Sequence, residues 1–164
     1  GESRTPEFIE KSANGKIPVL ELDDGRILSE SNAIMHYLAA GTPLIPTSPF
    51  DFAQLLQWQF FEQYSHEPYI AVARYINIYL GMPASRIQEF EAKQAGGYKA
   101  LEVMEQQLAT SPFLITNTIT LADISLFAYT HVAHEGGFDL SAYPAIRNWI
   151  GSIKEQKGFV AMQA

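Results

Sequence analysis

The 164-residue chain contains no cysteine. Disulfides, thiolate metal sites and a cysteine nucleophile are therefore excluded within it, and the composition suits a reducing compartment, so a cytoplasmic location is expected. Charge is sparse as well: charged residues make up 18%, with 11 Lys and Arg against 18 Asp and Glu, for a net charge of -7. No basic patch stands out against that balance, which argues against nucleic acid or an anionic membrane surface as a partner. Long apolar runs are also missing. The greasiest stretch, Tyr69 to Leu80, is interrupted by Arg74 and Asn77 and falls short of the roughly 18 residues that a bilayer span requires. The start has neither the basic n-region nor the apolar h-region of a secretion signal. Apolar side chains, by contrast, are plentiful: 47% of residues are hydrophobic, including 8 Tyr, 10 Phe and 2 Trp. A chain of this length and composition folds into one domain or two small ones with a substantial core.

Local signals divide the chain in two. Thr5 followed by Pro6 predicts a short helix that gives out at Asn14-Gly15. Ile17 to Leu22 reads as a strand, Asp23-Asp24-Gly25 as a tight turn and Arg26 to Ser29 as the returning strand of a hairpin. Because Pro18 cannot donate to a ladder, it belongs at the strand's start or edge. Ser31-Asn32-Ala33-Ile34 opens a helix through Ala40. Gly41 to Pro49 then holds three prolines in nine residues without periodicity, so residues 42–49 read as a linker.

Everything after the linker reads as helix. Ser48-Pro49-Phe50-Asp51 is a capping box whose helix runs toward Leu80, with a kink expected at Pro68. A second helix is expected from a Ser85-Arg86-Ile87-Gln88 box, burying Ile87, Phe90, Leu101, Met104 and Leu108. It crosses Gly96-Gly97, where a bend or a close backbone contact is expected. Thr120 and Asp123 form a structural capping box, stapled by Ile119 and Ile124, for a third helix ending near His134. A fourth is expected from Pro144 to about Lys157, with Ile146, Trp149, Ile150 and Ile153 inward. His131 and His134 stand three apart, but no third ligand accompanies them at a metal-binding spacing, so no metal site is expected.

Three segments in this order resemble the glutathione transferase family, of the cytosolic, bacterial-like type. Asn14-Gly15-Lys16-Ile17-Pro18-Val19-Leu20 is similar to the family's approach to its cis-proline. Glu30-Ser31-Asn32-Ala33-Ile34 resembles its Glu-Ser-x-Ala-Ile glutathione motif, and Thr120-Leu121-Ala122-Asp123-Ile124 its helical-domain capping box. The resemblance implies an α+β thioredoxin-like N-terminal domain, incomplete here, followed by an all-α helical bundle. Residues 1–41 would be the C-terminal part of the glutathione-binding domain and 50–164 the helical domain. It implies a homodimer that conjugates glutathione, as co-substrate, to small hydrophobic electrophiles. The alternatives are a non-catalytic binding or assembly protein of the same fold, and a glutathione-dependent reductase or isomerase.

The chemistry of the matching positions is intelligible by itself. With Pro18 cis, the N–H and C=O of Ile17 can pair with the peptide's cysteinyl backbone like an added strand. Ser31, where a helix begins, can hold the γ-glutamyl carboxylate at the positive end of the helix dipole. Glu30 can take the ammonium, and Lys16 resembles the basic residue that meets the glycyl carboxylate. The resemblance places the electrophile site along the first helices of the second domain, at Tyr64, His66, Tyr69 and Tyr75. It also places the family's catalytic Tyr, Ser or Cys in a strand, helix and strand ahead of the Thr5 helix. No residue of this chain takes that role by position, so the chain by itself is expected to be nearly inactive.

Overall fold

The computed structural model describes residues 1–161, and the chain separates into two compact units, Gly1–Ile45 and Pro46–Ala164. In the first unit a 3₁₀ turn over Glu2–Arg4 leads into α1, Pro6–Lys11. Thr5 caps α1 by accepting a hydrogen bond from the Phe8 N–H at 3.3 Å. Strands β1, Val19–Glu21, and β2, Ile27–Ser29, form an antiparallel pair in the register Val19 to Ser29, Leu20 to Leu28 and Glu21 to Ile27. The turn between them is closed locally, since Asp24 accepts from the Arg26 backbone at 3.1 Å and from its guanidinium at 2.8 Å. Helix α2, Ser31–Leu38, follows at once and buries Ile34.

The second unit is helical among its described residues. Helix α3, Pro49–Phe61, starts with Pro at its first position and Ser48 accepting from the Asp51 N–H at 3.4 Å. The anticipated kink at Pro68 takes another form. One turn ahead of the proline, Glu62–His66 widen into a π turn in which the Glu67 N–H reaches back five residues to the Glu62 carbonyl. Helix α4, Glu67–Arg74, then begins with the proline in its first turn, where a missing N–H costs nothing. A second π turn, Tyr75–Tyr79, ends the rod, and no sequence signal announced it.

Helix α5, Ile87–Leu108, starts after a 3₁₀ turn over Ala84–Arg86, so the box expected at Ser85 does not form. Arg86 instead pairs with Glu89 at 2.6 and 2.9 Å. Leu101, Met104 and Leu108 are buried as expected, whereas Ile87 stays exposed. The glycine pair marks the close approach: a Cβ on Gly96 would collide with the Tyr69 ring, and one on Gly97 with the ring of Phe138. Helix α6, Leu121–Thr130, carries the Thr120–Asp123 capping box and stops short of His134, with a separate 3₁₀ turn over Ala133–Gly136.

Helix α7, Pro144–Lys154, ends three residues before Lys157 and buries Ile146, Trp149 and Ile153. Its N-terminus is capped from a distance, because Glu105 of α5 accepts the Ala145 and Ile146 N–H groups, each at 2.9 Å. The helix dipole favours an anion there. The core of this unit includes Leu55, Ile70, Ile76, Leu114, Leu126 and Phe138, and full burial of each such side chain contributes about 1.5–3 kcal/mol. Among the described residues no helix is long and apolar enough to cross a membrane.

Candidate functional site

The hairpin end of the first unit departs from ordinary backbone geometry at two adjoining places. The Ile17–Pro18 peptide is cis, as the sequence analysis expects. Ser12, itself buried, pins the approach to it: its hydroxyl donates to the Lys16 carbonyl at 3.0 Å and accepts from the Lys16 N–H at 3.4 Å. Ile17 is left 76% exposed, an unusual state for an isoleucine beside a strand, and its backbone N–H and C=O have no hydrogen-bond partner among the described residues. Val19 to Ser29 is the last ladder pair, so Pro18 and Glu30 leave the sheet at the same end. Continuing that register sets Ile17 across from Ser31.

Glu30 is the second departure. Its φ of 72° and ψ of 116° lie outside the regions that L-residues favour, a conformation that costs on the order of 1–3 kcal/mol and persists only where the surroundings impose it. Glu30 is the N-cap of α2, yet no side chain caps this helix. Elsewhere, α1, α3 and α6 have capping side chains of their own and α7 has Glu105, while α4 and α5, which also lack a side-chain cap, continue directly from a π turn and a 3₁₀ turn. The positive end of α2, with the exposed Ser31 as its first residue, is therefore open to an outside acceptor. Lys16, Ile17, Pro18, Glu30 and Ser31 thus share one end of the hairpin. Ser31 supplies a hydroxyl, Glu30 an anion and Lys16 a cation, which together suit a zwitterionic peptide with more than one carboxylate.

The four aromatic candidates of the helical unit are not brought together. Tyr64 stands 87% exposed on the first π turn. His66, two residues on, has no exposed surface and Nε2 lies 2.8 Å from Thr130 Oγ1. Burial lowers its pKa from 6.5 to about 3. An electrophile-lining role for His66 is therefore set aside, because the widened turn aims its ring into the core. Tyr69 packs over Gly96 with the Lys93 ammonium 5.6 Å from its ring centroid. Tyr75, half exposed, stacks on Tyr79 at 6.0 Å. That stack belongs to a knot absent from the sequence reading: Arg74 pairs with Glu135 at 2.5 Å and reaches the Tyr79 hydroxyl at 3.2 Å. Asn77 meanwhile donates to the Glu135 carbonyl at 2.8 Å. The partners lie some sixty residues apart, and nothing local could have signalled them.

Thr120 and Asp123 are structural. The Asp123 carboxylate, fully buried, accepts from the Thr120 N–H at 2.9 Å, the Thr120 hydroxyl at 3.0 Å, the Leu114 N–H at 3.0 Å and Trp149 Nε1 at 2.9 Å. Burial pushes its pKa up, and these donors pull against that shift. Among the described residues no cluster of three or more His, Cys, Asp or Glu is arranged to hold a metal.

The glutathione S-transferase N-terminal domain model matches residues 1–40, and the C-terminal domain model matches residues 87–152. A glutathione S-transferase from Pseudomonas fluorescens is 53% identical and superposes with a TM-score of 0.96, over 98% of this chain and 80% of that one. A glutathione transferase from Phanerochaete chrysosporium, solved in complex with oxidized glutathione, is 25% identical with a TM-score of 0.82, over 95% of this chain and 75% of its own. Elongation factor 1-gamma of Equus caballus is 32% identical over 98% of this chain, which spans 37% of that protein's length. With both domain models matched in order and a solved relative followed over four-fifths of its length, the chain belongs to the glutathione S-transferase family.

Proposed function

We propose that this chain binds glutathione at the open end of the hairpin and serves a transferase that joins the glutathione thiol to small hydrophobic electrophiles. The observation that carries the reading is the uncapped N-terminus of α2, held open beside a strained Glu30 and an unpaired Ile17 backbone. The cysteinyl backbone would pair with Ile17, and the γ-glutamyl carboxylate would take the Ser31 hydroxyl and the positive end of α2. Glu30 would meet the ammonium and Lys16 the glycyl carboxylate. Residues 1–41 would supply this half-site, 42–49 the linker and 50–164 the helical domain. Tyr64 and Tyr75, both exposed, are the better candidates for contact with an electrophile, and Tyr69 the weaker one.

Conjugation proceeds through the thiolate. A free thiol, with a pKa of about 8.5, is only a few per cent ionised at pH 7, so acceleration needs a hydrogen-bond donor at the sulfur. The only hydroxyl in the cluster, Ser31, is given to the carboxylate, so these 164 residues by themselves should bind glutathione and conjugate slowly. Calorimetric titration with glutathione tests the binding, and Ser31→Ala is expected to weaken it about tenfold. Unchanged affinity in that variant, or no binding by the unmodified chain, would overturn the assignment.

A second reading, assembly without catalysis, is favoured by the resemblance to elongation factor 1-gamma. A chromogenic conjugation assay on the chain with the family's first strand, helix and strand fused ahead of it separates the two. Turnover supports the transferase, and binding without turnover supports the assembly role. A cytoplasmic homodimer is proposed for either case. Its support is large apolar surface on helices: Tyr37 and Leu38 of α2 and Phe50 and Phe60 of α3 are exposed, whereas Phe61 turns inward to meet Trp58 edge-on at 5.3 Å. Light scattering at micromolar concentration checks it.

A further inference from the structure

Among the described residues, His66 Nδ1 is a buried side-chain nitrogen with no hydrogen-bond partner. Its ring closes the first π turn and its other nitrogen meets Thr130 of α6 at 2.8 Å. The direction of that bond follows from what else Thr130 does. The threonine has one hydroxyl proton, and the Leu126 carbonyl one turn back receives it at 2.7 Å, a far better acceptor than the Met104 sulfur at 3.9 Å. The oxygen is left to accept, so Nε2 carries the imidazole proton. Nδ1 is then a bare lone pair inside the core.

We propose that His66 is a proton-controlled latch: its neutral ring fastens the π turn to α6 through Thr130, and a proton taken up at Nδ1 releases the turn from the core. An imidazolium donates from both nitrogens, and the one at Nδ1 would find no acceptor where it stands. The titratable groups on the packed elements do not supply one. On the same stretch stand Glu62, which accepts from Gln63 at 2.7 Å, Glu67 and, further along, Arg74, which is held by Glu135. Tyr129 adjoins Thr130 on α6, and Glu102 and Glu105 flank Met104 on α5, where Glu105 is committed to the start of α7. The titratable group of α3 is Asp51, at its far end.

The sign follows from the shift that burial imposes, from 6.5 down to about 3. The latched state excludes the proton and the released state accepts it with an ordinary affinity. Release is therefore independent of pH above 6.5 and becomes about tenfold easier for each unit below it, until the latched ring itself takes the proton near pH 3. The turn is suited to local release because Pro68 has no N–H to tie it to the turn before. Tyr64, exposed on the same turn, would move with it.

Two measurements on the whole chain decide the matter. Nitrogen-15 NMR of labelled histidines should show His66 as the Nε2–H tautomer with shifts unchanged from pH 7.5 to 5. Amide hydrogen exchange over residues 62–70, corrected for intrinsic rates, should report an opening about thirtyfold more populated at pH 5 than at pH 7.5. His66→Gln keeps an N–H for Thr130 and cannot take the proton, so the part of the pH dependence due to His66 should vanish. A His66 signal that titrates near 6.5 in the folded protein, or a glutamine variant with the original pH dependence, would overturn the latch. If the variant fails to fold, the titration of the unmodified chain still decides.

Discussion

The start of α2 and the start of α6 are built from similar residue types and reach opposite outcomes. At α6 the rules of helix initiation are satisfied several times over: Thr120 and Asp123 cap reciprocally, and the same carboxylate gathers donors from Leu114 and, across 26 residues, from Trp149. At α2 a Glu-Ser pair could cap in the ordinary way, yet Glu30 sits at positive φ and no side chain caps the helix. Polar groups completed from within hold a structure together. Polar groups left incomplete, at a cost in local strain, are placed for something from outside.

The contrast can be broken most forcefully at Asp123. Asp123→Ala strands the buried N–H groups of Leu114 and Trp149 along with the helix cap. The expected loss is about 3 kcal/mol or more, read as a lowered denaturant midpoint followed by tryptophan fluorescence. Next comes Gly97→Ala, which drives a methyl group into the Phe138 ring. It should cost about 1–3 kcal/mol, seen as a drop in the thermal midpoint with little change at the hairpin. The smallest effect is expected at α2 and has the opposite sign. Glu30→Gly relieves the positive φ and should stabilise the first unit by about 1 kcal/mol while weakening glutathione binding. A variant that lost stability would show that Glu30 is structural there, as Asp123 is in α6.

Features whose partners lie within a few residues were legible in the sequence. Thr5 with Pro6, Ser48 with Asp51 and Thr120 with Asp123 announce their helices, and the hairpin about Asp23-Asp24-Gly25 closes as its turn residues demand. That the residues proposed for glutathione stand at one place was legible too, because Lys16-Ile17-Pro18 and Glu30-Ser31 bracket one short hairpin whose register brings its ends together. Helix ends were read less well. The α6 and α7 helices stop earlier than their apolar periodicity suggests, and Ser85 does not cap α5.

What the chain determined by itself is thus its local grammar: two regions parted by a proline-rich stretch, the capped helix starts, the hairpin and the family. Tertiary structure decided the rest. It turned His66 into the core and left Tyr64 outside, two residues apart on one π turn. It spent Glu105 on the start of α7 and joined Arg74 to Glu135. The physical reason is range. A cap or a tight turn is settled by hydrogen bonds spanning three or four residues, which any copy of the motif can make. The facing of a ring, the partner of a distant carboxylate and the glycine a crossing helix requires depend on surfaces that exist only after distant segments have packed.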